Sequence, residues 1–234
     1  MLKITDRRAS YGRIPILNGI DLDVSEGQVL GILGHNGMGK TTLMRTVMGF
    51  IDATAGRIEM EGRDITSAPP HRRARAGFGY VPQGREIFPR MTVRDNLRFA
   101  VAAAGKDESS TMEQILQQFE RLVPLLDRQG GALSGGEQQI LAIARCLCTD
   151  PKLMFLDEPT EGIQPSIIEQ IIELLADLKR QRGLTIVLVE QNLEFVASLS
   201  DRVAIIQKGA IINELAPSQL GDAKILDEFI GVAQ

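Results

Sequence analysis

The chain has 234 residues, of which 44% are hydrophobic and 24% charged, with a formal net charge of −4. That length predicts one large domain, or one domain with a subdomain, and the balanced composition excludes a disordered, collagenous or disulfide-framed chain. The slight acidity disfavours sequence-independent binding to nucleic acid, which needs a basic footprint.

In chain order, residues 2–10 and 14–17 are compatible with strands, and Ile20-Asp21-Leu22-Asp23-Val24 alternates apolar and acidic side chains, the period of a half-buried strand. Arg57-Ile58-Glu59-Met60 before Glu61-Gly62 reads as a strand and a turn. Together these predict an antiparallel sheet, wet on one side, over residues 1–30 and 56–66. Val29-Leu30-Gly31-Ile32-Leu33, Leu153-Met154-Phe155-Leu156 and residues 185–189 are unbroken apolar runs instead. Such runs suit parallel strands covered on both faces, so residues 27–90 and 150–234 are expected to form an α/β core. From 91 to 149 the strand pattern stops. Residues 93–104, 112–126 and 136–147 favour helix around a polar break at 105–110, which predicts a helical insert. Beyond it, Ile167, Ile168, Ile171, Ile172, Leu174, Leu175 and Leu178 form an apolar helix face that stops at Arg180-Gln181-Arg182-Gly183. Residues 203–213 read as a hairpin turning at Lys208-Gly209.

Cys146 and Cys148 stand one residue apart, close no useful loop and match no zinc spacing, so they are expected as buried helix residues in a reducing compartment. No apolar run approaches the ~20 residues that span a bilayer, and residues 1–8 lack an apolar signal segment. The expected location is therefore the cytoplasm. His71-Arg72-Arg73-Ala74-Arg75 is the basic cluster, expected as a solvated helix face or arm in preference to a phosphate or lipid contact.

Gly34-His35-Asn36-Gly37-Met38-Gly39-Lys40-Thr41 fits G-x-x-x-x-G-K-[ST] between an apolar strand and a predicted helix over 42–48. Its glycines let backbone N–H groups wrap phosphates at a helix N-terminus. Lys40 would reach the β- and γ-phosphates and the Thr41 hydroxyl would ligate Mg²⁺. Alone, the motif does not separate kinases, GTPases and ATPases. Asp157 and Glu158 end the strand at 153–156, at the sheet edge where α/β folds bind ligands. Beside a P-loop, Asp157 is expected to hold Mg²⁺ through water and Glu158 to orient or deprotonate the attacking water. Leu133-Ser134-Gly135-Gly136-Glu137 opens a further helix, read either as a second phosphate cradle or as an ordinary serine N-cap.

Those three motifs, in that order and over essentially the whole chain, resemble the nucleotide-binding subunit of an ATP-binding cassette (ABC) transporter. The resemblance implies a RecA-like P-loop ATPase core with an antiparallel β subdomain and an inserted helical subdomain. It implies ATP and Mg²⁺, with the P-loop of one subunit and Ser134, Gly135, Gly136 and Glu137 of its partner enclosing the nucleotide. Nucleotide contacts then fall to Tyr11, Gly34, His35, Asn36, Gly37, Met38, Gly39, Lys40, Thr41 and Thr42. Tyr11 matches the adenine-stacking aromatic, or else is a half-buried strand residue. Gln83 matches the glutamine that touches Mg²⁺ or water and senses the membrane subunit, and residues 160–164 match a loop that crosses the dimer interface. Ile87, Phe88, Pro89 and Met91 line a groove for a membrane subunit, or belong to the core.

Two positions depart from the wider pattern. Gln191 stands where a histidine is usual, His35 and His71 lie elsewhere, and Gln164 stands where an aspartate is usual. Gln191 can donate a hydrogen bond but carries no charge; its alternative is to cap the helix that follows. Glu190-Gln191-Asn192 is similar to the second ATPase subunit of importers for branched-chain amino acids and for urea or short-chain amides. Residues 81–90 and 157–165 look closest to the urea-type branch. The expected assembly is a second, non-identical ATPase, two membrane permeases and, indirectly, a solute-binding protein, at the cytoplasmic face of the membrane. The isolated chain is expected as a monomer without nucleic acid. The alternatives are the ATPase of an exporter, such as one extracting lipopolysaccharide, and a soluble ABC ATPase acting on nucleic acid or ribosomes.

Overall fold

A computed structural model of the chain describes residues 1–221, so the part of the expected core over 222–234 lies outside the described residues. Strand β1 (Leu2–Tyr11) pairs antiparallel with β2 (Ile14–Val24) on one side and β4 (Ala53–Met60) on the other, with the short β5 (Arg63–Asp64) beyond. The two strands expected at 14–17 and 20–24 are one. Gly19, at φ +90°, lets the pairing slip between Arg7 and Arg8 without ending the strand.

The second sheet holds β3 (Val29–Leu33), β6 (Phe78–Val81), β7 (Leu153–Asp157), β8 (Thr185–Glu190), β9 (Arg202–Gln207) and β10 (Ala210–Leu215), in the order β10-β9-β3-β8-β7-β6. All neighbours are parallel except β10, which returns antiparallel through Lys208 (φ 47°) and Gly209 (φ 76°), the signature of a type I′ hairpin. Alternate residues of this sheet feed two separate cores. Leu30, Ile32, Phe155, Val187 and Val189 pack with Leu43, Met44 and Val47 of α1 (Lys40–Met48) and with the antiparallel sheet. Leu33, Met154, Leu156, Ile186 and Leu188 pack on the opposite side with α5 (Gly135–Leu147), α6 (Pro165–Arg182) and α7 (Leu193–Leu199). Burial on both faces is what makes the runs continuous rather than alternating.

Strand β6 is absent from the expected elements: four residues between Gly77 and Pro82 carry too little pattern to stand out. The insert is helical, but in different pieces. After α2 (Pro70–Arg75) and α3 (Val93–Ala104), α4 (Glu108–Gln118) starts inside the expected polar break because Asp107 caps it, accepting from Ser110 N at 2.9 Å. The helix expected over 112–126 breaks at Phe119 and continues as a 3₁₀ turn, Glu120–Leu125, that contains Pro124. Both cysteines are free and buried as expected, and burial pushes both thiols up to about 12.

The basic cluster needs a correction. His71, Arg72 and Arg75 are exposed, but Arg73 is only 2% exposed. Its guanidinium donates to Thr46 O (3.1 Å) and Val47 O (2.5 Å) at the C-terminal end of α1, and to Thr66 O (2.8 Å) and Ala68 O (2.7 Å). A helix C-terminus carries partial negative charge and unpaired carbonyls, so a buried cation is held there without a carboxylate. Burial lowers its pKa to about 10, which leaves it charged at neutral pH. Deleting the guanidinium strands buried carbonyls at roughly 1–3 kcal/mol each. Arg73→Ala is therefore expected to cost about 3–5 kcal/mol and lower the thermal midpoint by on the order of 10 °C. A thermal melt within about 2 °C of wild type would contradict this structural role.

Candidate functional site

Parallel strands that end in register place their following loops side by side. Leu33 lies opposite Glu190, Val189 opposite Asp157, and Leu156 opposite Val81. The loops after β3, β8, β7 and β6 therefore share one carboxyl edge, and those loops carry Gly34–Gly39, Gln191, Glu158 and Gln83. The P-loop turns through Gly37 (φ 80°) and Gly39 (φ 103°), backbone that side-chain-bearing residues rarely adopt, before α1 begins at Lys40. Its underside is pinned by Gly209, whose N–H donates to Met38 O at 3.0 Å. A Cβ on Gly209 would sit 1.7 Å from Ile16 O, so only glycine allows that approach.

Lys40 is buried at the centre of the edge. Its ammonium donates to Gly34 O (2.7 Å) and His35 O (3.1 Å) and pairs with Glu158 Oε1 at 3.0 Å, which uses all three N–H groups. Thr41 donates its hydroxyl to Asp157 Oδ1 at 3.0 Å. Gln83 donates its amide to Glu158 Oε2 and to Glu161 Oε2, both at 3.1 Å, leaving its carbonyl oxygen as an acceptor. Gln191 donates to Asn36 Oδ1 of the P-loop at 2.8 Å. The helix cap after β8 is not Gln191 but Asn192, whose side chain accepts from Phe195 N. Thus Asn36, Lys40, Thr41, Gln83, Asp157, Glu158 and Gln191 lie along one edge in three bonded groups, Lys40–Glu158–Gln83, Thr41–Asp157 and Gln191–Asn36.

Other expected residues lie outside those groups. Tyr11 ends β1 with half its surface exposed. Ser134 caps α5 in a capping box: its hydroxyl accepts from Glu137 N at 3.3 Å, and Glu137 accepts from Ser134 N at 2.7 Å. The ordinary N-cap role is thus present in this chain. Gly136 packs so tightly that a Cβ would meet Ile167 Cγ2 at 2.7 Å. Ile87 packs against the core, whereas Phe88 meets Phe99 edge-on at 4.9 Å with Arg145 4.4 Å above its ring.

Tyr80 and Arg85 join the site although neither was expected there. Tyr80 donates its hydroxyl to Asp157 Oδ2 at 3.0 Å, and burial plus that carboxylate raise its pKa well above the ordinary phenol value. The Phe78-Gly79-Tyr80-Val81 run between glycine and proline was the available signal. Arg85, in left-handed backbone at φ 71°, donates to Gln138 Oε1 on α5 (3.4 Å) and to Glu161 O after β7 (3.2 Å). It ties the loop after β6 to the helical insert and to the loop after β7.

Asp157 is buried, and desolvation raises its carboxyl pKa more than the bonds from Tyr80 and Thr41 lower it. Tyr80→Phe removes a donor to the charged form while keeping the ring, so the Asp157 titration should move to still higher pH. Carbon-detected NMR titration of that carboxyl reads the shift directly, and an unchanged or lowered midpoint would contradict the role given to Tyr80.

The ABC transporter family model matches residues 17–161. The branched-chain amino acid transport ATP-binding protein BraG of Pseudomonas aeruginosa is 36% identical over 233 residues, covering 99% of this chain and 100% of that protein. The lipopolysaccharide export system ATP-binding protein LptB of Haemophilus influenzae is 34% identical over 228 residues, 95% of this chain and 93% of that one. Among solved structures, the ADP conformation of MJ1267, an ATP-binding cassette of an ABC transporter, superposes with a TM-score of 0.87 at 29% identity, covering 99% and 98% of the two chains. With a P-loop, a β7 acid pair and a capped LSGGE helix on this fold, the chain belongs to the ABC transporter family and is an ATP-hydrolysing cassette.

Proposed function

We propose that the chain powers import of a small nitrogen-containing solute, urea or a short-chain amide or a branched-chain amino acid, from the cytoplasmic face of the membrane. The observation that carries the chemistry is the junction of Lys40, Glu158, Gln83 and Gln191 at one sheet edge. Import is supported by the branched-chain amino acid relatives, and the urea branch by the residues at 81–90 and 157–165. A second reading, export, is supported by the LptB relatives. Among the described residues no helix is long and apolar enough to cross a membrane; in this reading two permease subunits form the passage, a role supported by the transport-system relatives. A groove of about 1220 Å³ between the helical insert and the core, lined by Phe50, Tyr80, Phe99 and Arg145, is the proposed seat for them. The nucleotide on this P-loop would be closed by the corresponding signature turn of a second, non-identical ATPase, while Ser134, Gly135, Gly136 and Glu137 of this chain would close the nucleotide held by that partner.

In this reading phosphates compete with Glu158 for the Lys40 ammonium. A Lys40 turned to the γ-phosphate releases Glu158, which Gln83 still holds, to take a proton from water. Mg²⁺ prefers oxygen ligands and keeps several waters; the Thr41 hydroxyl and Asp157 carboxylate, 3.0 Å apart, fit it. When bound it neutralises phosphate charge. Gln191 holds phosphate or water by a neutral bond, and adenine stacks on Tyr11.

Glu158→Gln is expected to bind ATP within about threefold of wild type while turnover falls roughly 100-fold or more. Lys40→Ala should weaken ATP binding by roughly 10- to 100-fold, since charge-assisted bonds are lost. Calorimetry and phosphate release decide both; normal turnover in Glu158→Gln would remove its water-activating role. Gln191→Ala should lower turnover roughly tenfold, the worth of one neutral bond. Uptake of labelled urea and leucine by cells lacking the chain separates the solutes, and loss of neither would leave export as the reading.

A further inference from the structure

Glu190 is the last residue of β8, 3% exposed, at the level of the catalytic edge. Its Oε1 accepts from Thr160 N at 2.8 Å and from the Thr160 hydroxyl at 2.6 Å. Its Oε2 accepts from Gln191 N at 2.8 Å and Asn192 N at 3.1 Å. A carboxylate has about four lone-pair positions, so this one is saturated. Every donor is a neutral group, and the donors come from two different turns. Thr160 lies two residues beyond Glu158 in the turn after β7, and Gln191 lies in the turn after β8, where its side chain reaches Asn36.

The turn after β7 is also tied to strand β8 itself, by Glu158 N donating to Val189 O at 2.9 Å. Glu158 itself is held at φ 47°, left-handed backbone that a residue with a side chain keeps only when its surroundings impose it. The bond at Glu158 N and the pair of bonds at Thr160 bracket that strained position. Removing one bracket frees the backbone that aims the Glu158 carboxylate.

We propose that Glu190 is a positioning residue for hydrolysis, clamping the turn that bears Glu158 and Thr160 to the turn that bears Gln191 so that both keep one geometry at the terminal phosphate. The proposal rests on the reading that Glu158 and Gln191 act there. It also gives the loop at 160–164, proposed to meet the second ATPase, a direct mechanical link to Gln191. A carboxylate that only satisfied buried donors would affect stability without coupling the two turns.

Glu190→Gln conserves volume, but its amide nitrogen must face N–H donors at one turn. In the full-length chain, MgATP binding should stay within about threefold while turnover falls about tenfold, because P-loop contacts are untouched and one aimed bond is lost. Adding Gln191→Ala to Glu190→Gln should cost less than about threefold more, since residues acting as a unit are not additive. Hydrogen exchange supplies a readout independent of activity. Thr160→Val removes only the hydroxyl, yet should speed exchange of the Gln191 and Asn192 amides on the other turn. If Glu190→Gln does not fold, Thr160→Val carries the same cycle. Full turnover in Glu190→Gln beside an impaired Gln191→Ala, multiplying losses in the double variant, or exchange changes confined to the Thr160 turn would each overturn the proposal. Full turnover in Gln191→Ala alone would overturn the reading of Gln191 and the clamp with it.

Discussion

Four parallel strands that stop at the same level, β3, β8, β7 and β6, are the constraint on which the site depends. Neighbouring strands lie about 4.8 Å apart, so residues far apart in sequence reach one another with ordinary side chains. Thr41 meets Asp157 across 116 positions and Gln191 meets Asn36 across 155. Slip β7 by one residue against β8 and the faces invert: Asp157 would exchange places with Leu156. Packing prevents this, because both faces of the sheet are committed to separate apolar cores. The hydrophobic interior therefore sets the chemistry's geometry.

Within that frame the electrostatics are economical. One buried ammonium, Lys40, is balanced by Glu158 and two carbonyls. Asp157 is held by hydroxyls from Thr41 and Tyr80, and Glu190 by backbone and hydroxyl donors. Arg73 inverts the pattern, a buried cation on carbonyls alone. Neutral dipoles thus hold Asp157, Glu190 and Arg73, while Lys40 and Glu158 balance each other directly. Carbonyls and hydroxyls on ordered elements also hold their direction, which a long exposed side chain does not.

Besides the shared apolar core, the helical insert is joined to the sheet edge by a set of polar contacts. The loop after β6 holds Arg85 and Glu86 in left-handed backbone, tied to Gln138 and Arg145 of α5 and to the loop after β7. Gln83, in the same loop, reaches Glu158. Bonds from Arg85 to α5 and from Gln83 to Glu158 thus leave the loop within three residues of one another. The surroundings hold this left-handed segment in place, and it joins the LSGGE helix to the edge where Lys40, Asp157 and Glu158 meet.

Local signals in the sequence determined the fold class, the P-loop, the acid pair and the LSGGE cap, because glycine geometry, unbroken apolar runs and capping residues act over a few positions. Gln191 stood out as a departure from histidine only through the resemblance to the family's pattern. Tertiary structure decided the rest. Strand β6 is held by pairing with β7, so four residues suffice where pattern alone needs more. Tyr80 and Arg85 joined the site because β6 lies at the edge beside Asp157. Arg73 left the solvated cluster because α1 ends above it, and Glu190 became a clamp because Thr160 comes back to it across 30 positions. These assignments depend on which loops meet at one edge, and that is a property of strand order and register, which no local pattern of residues encodes.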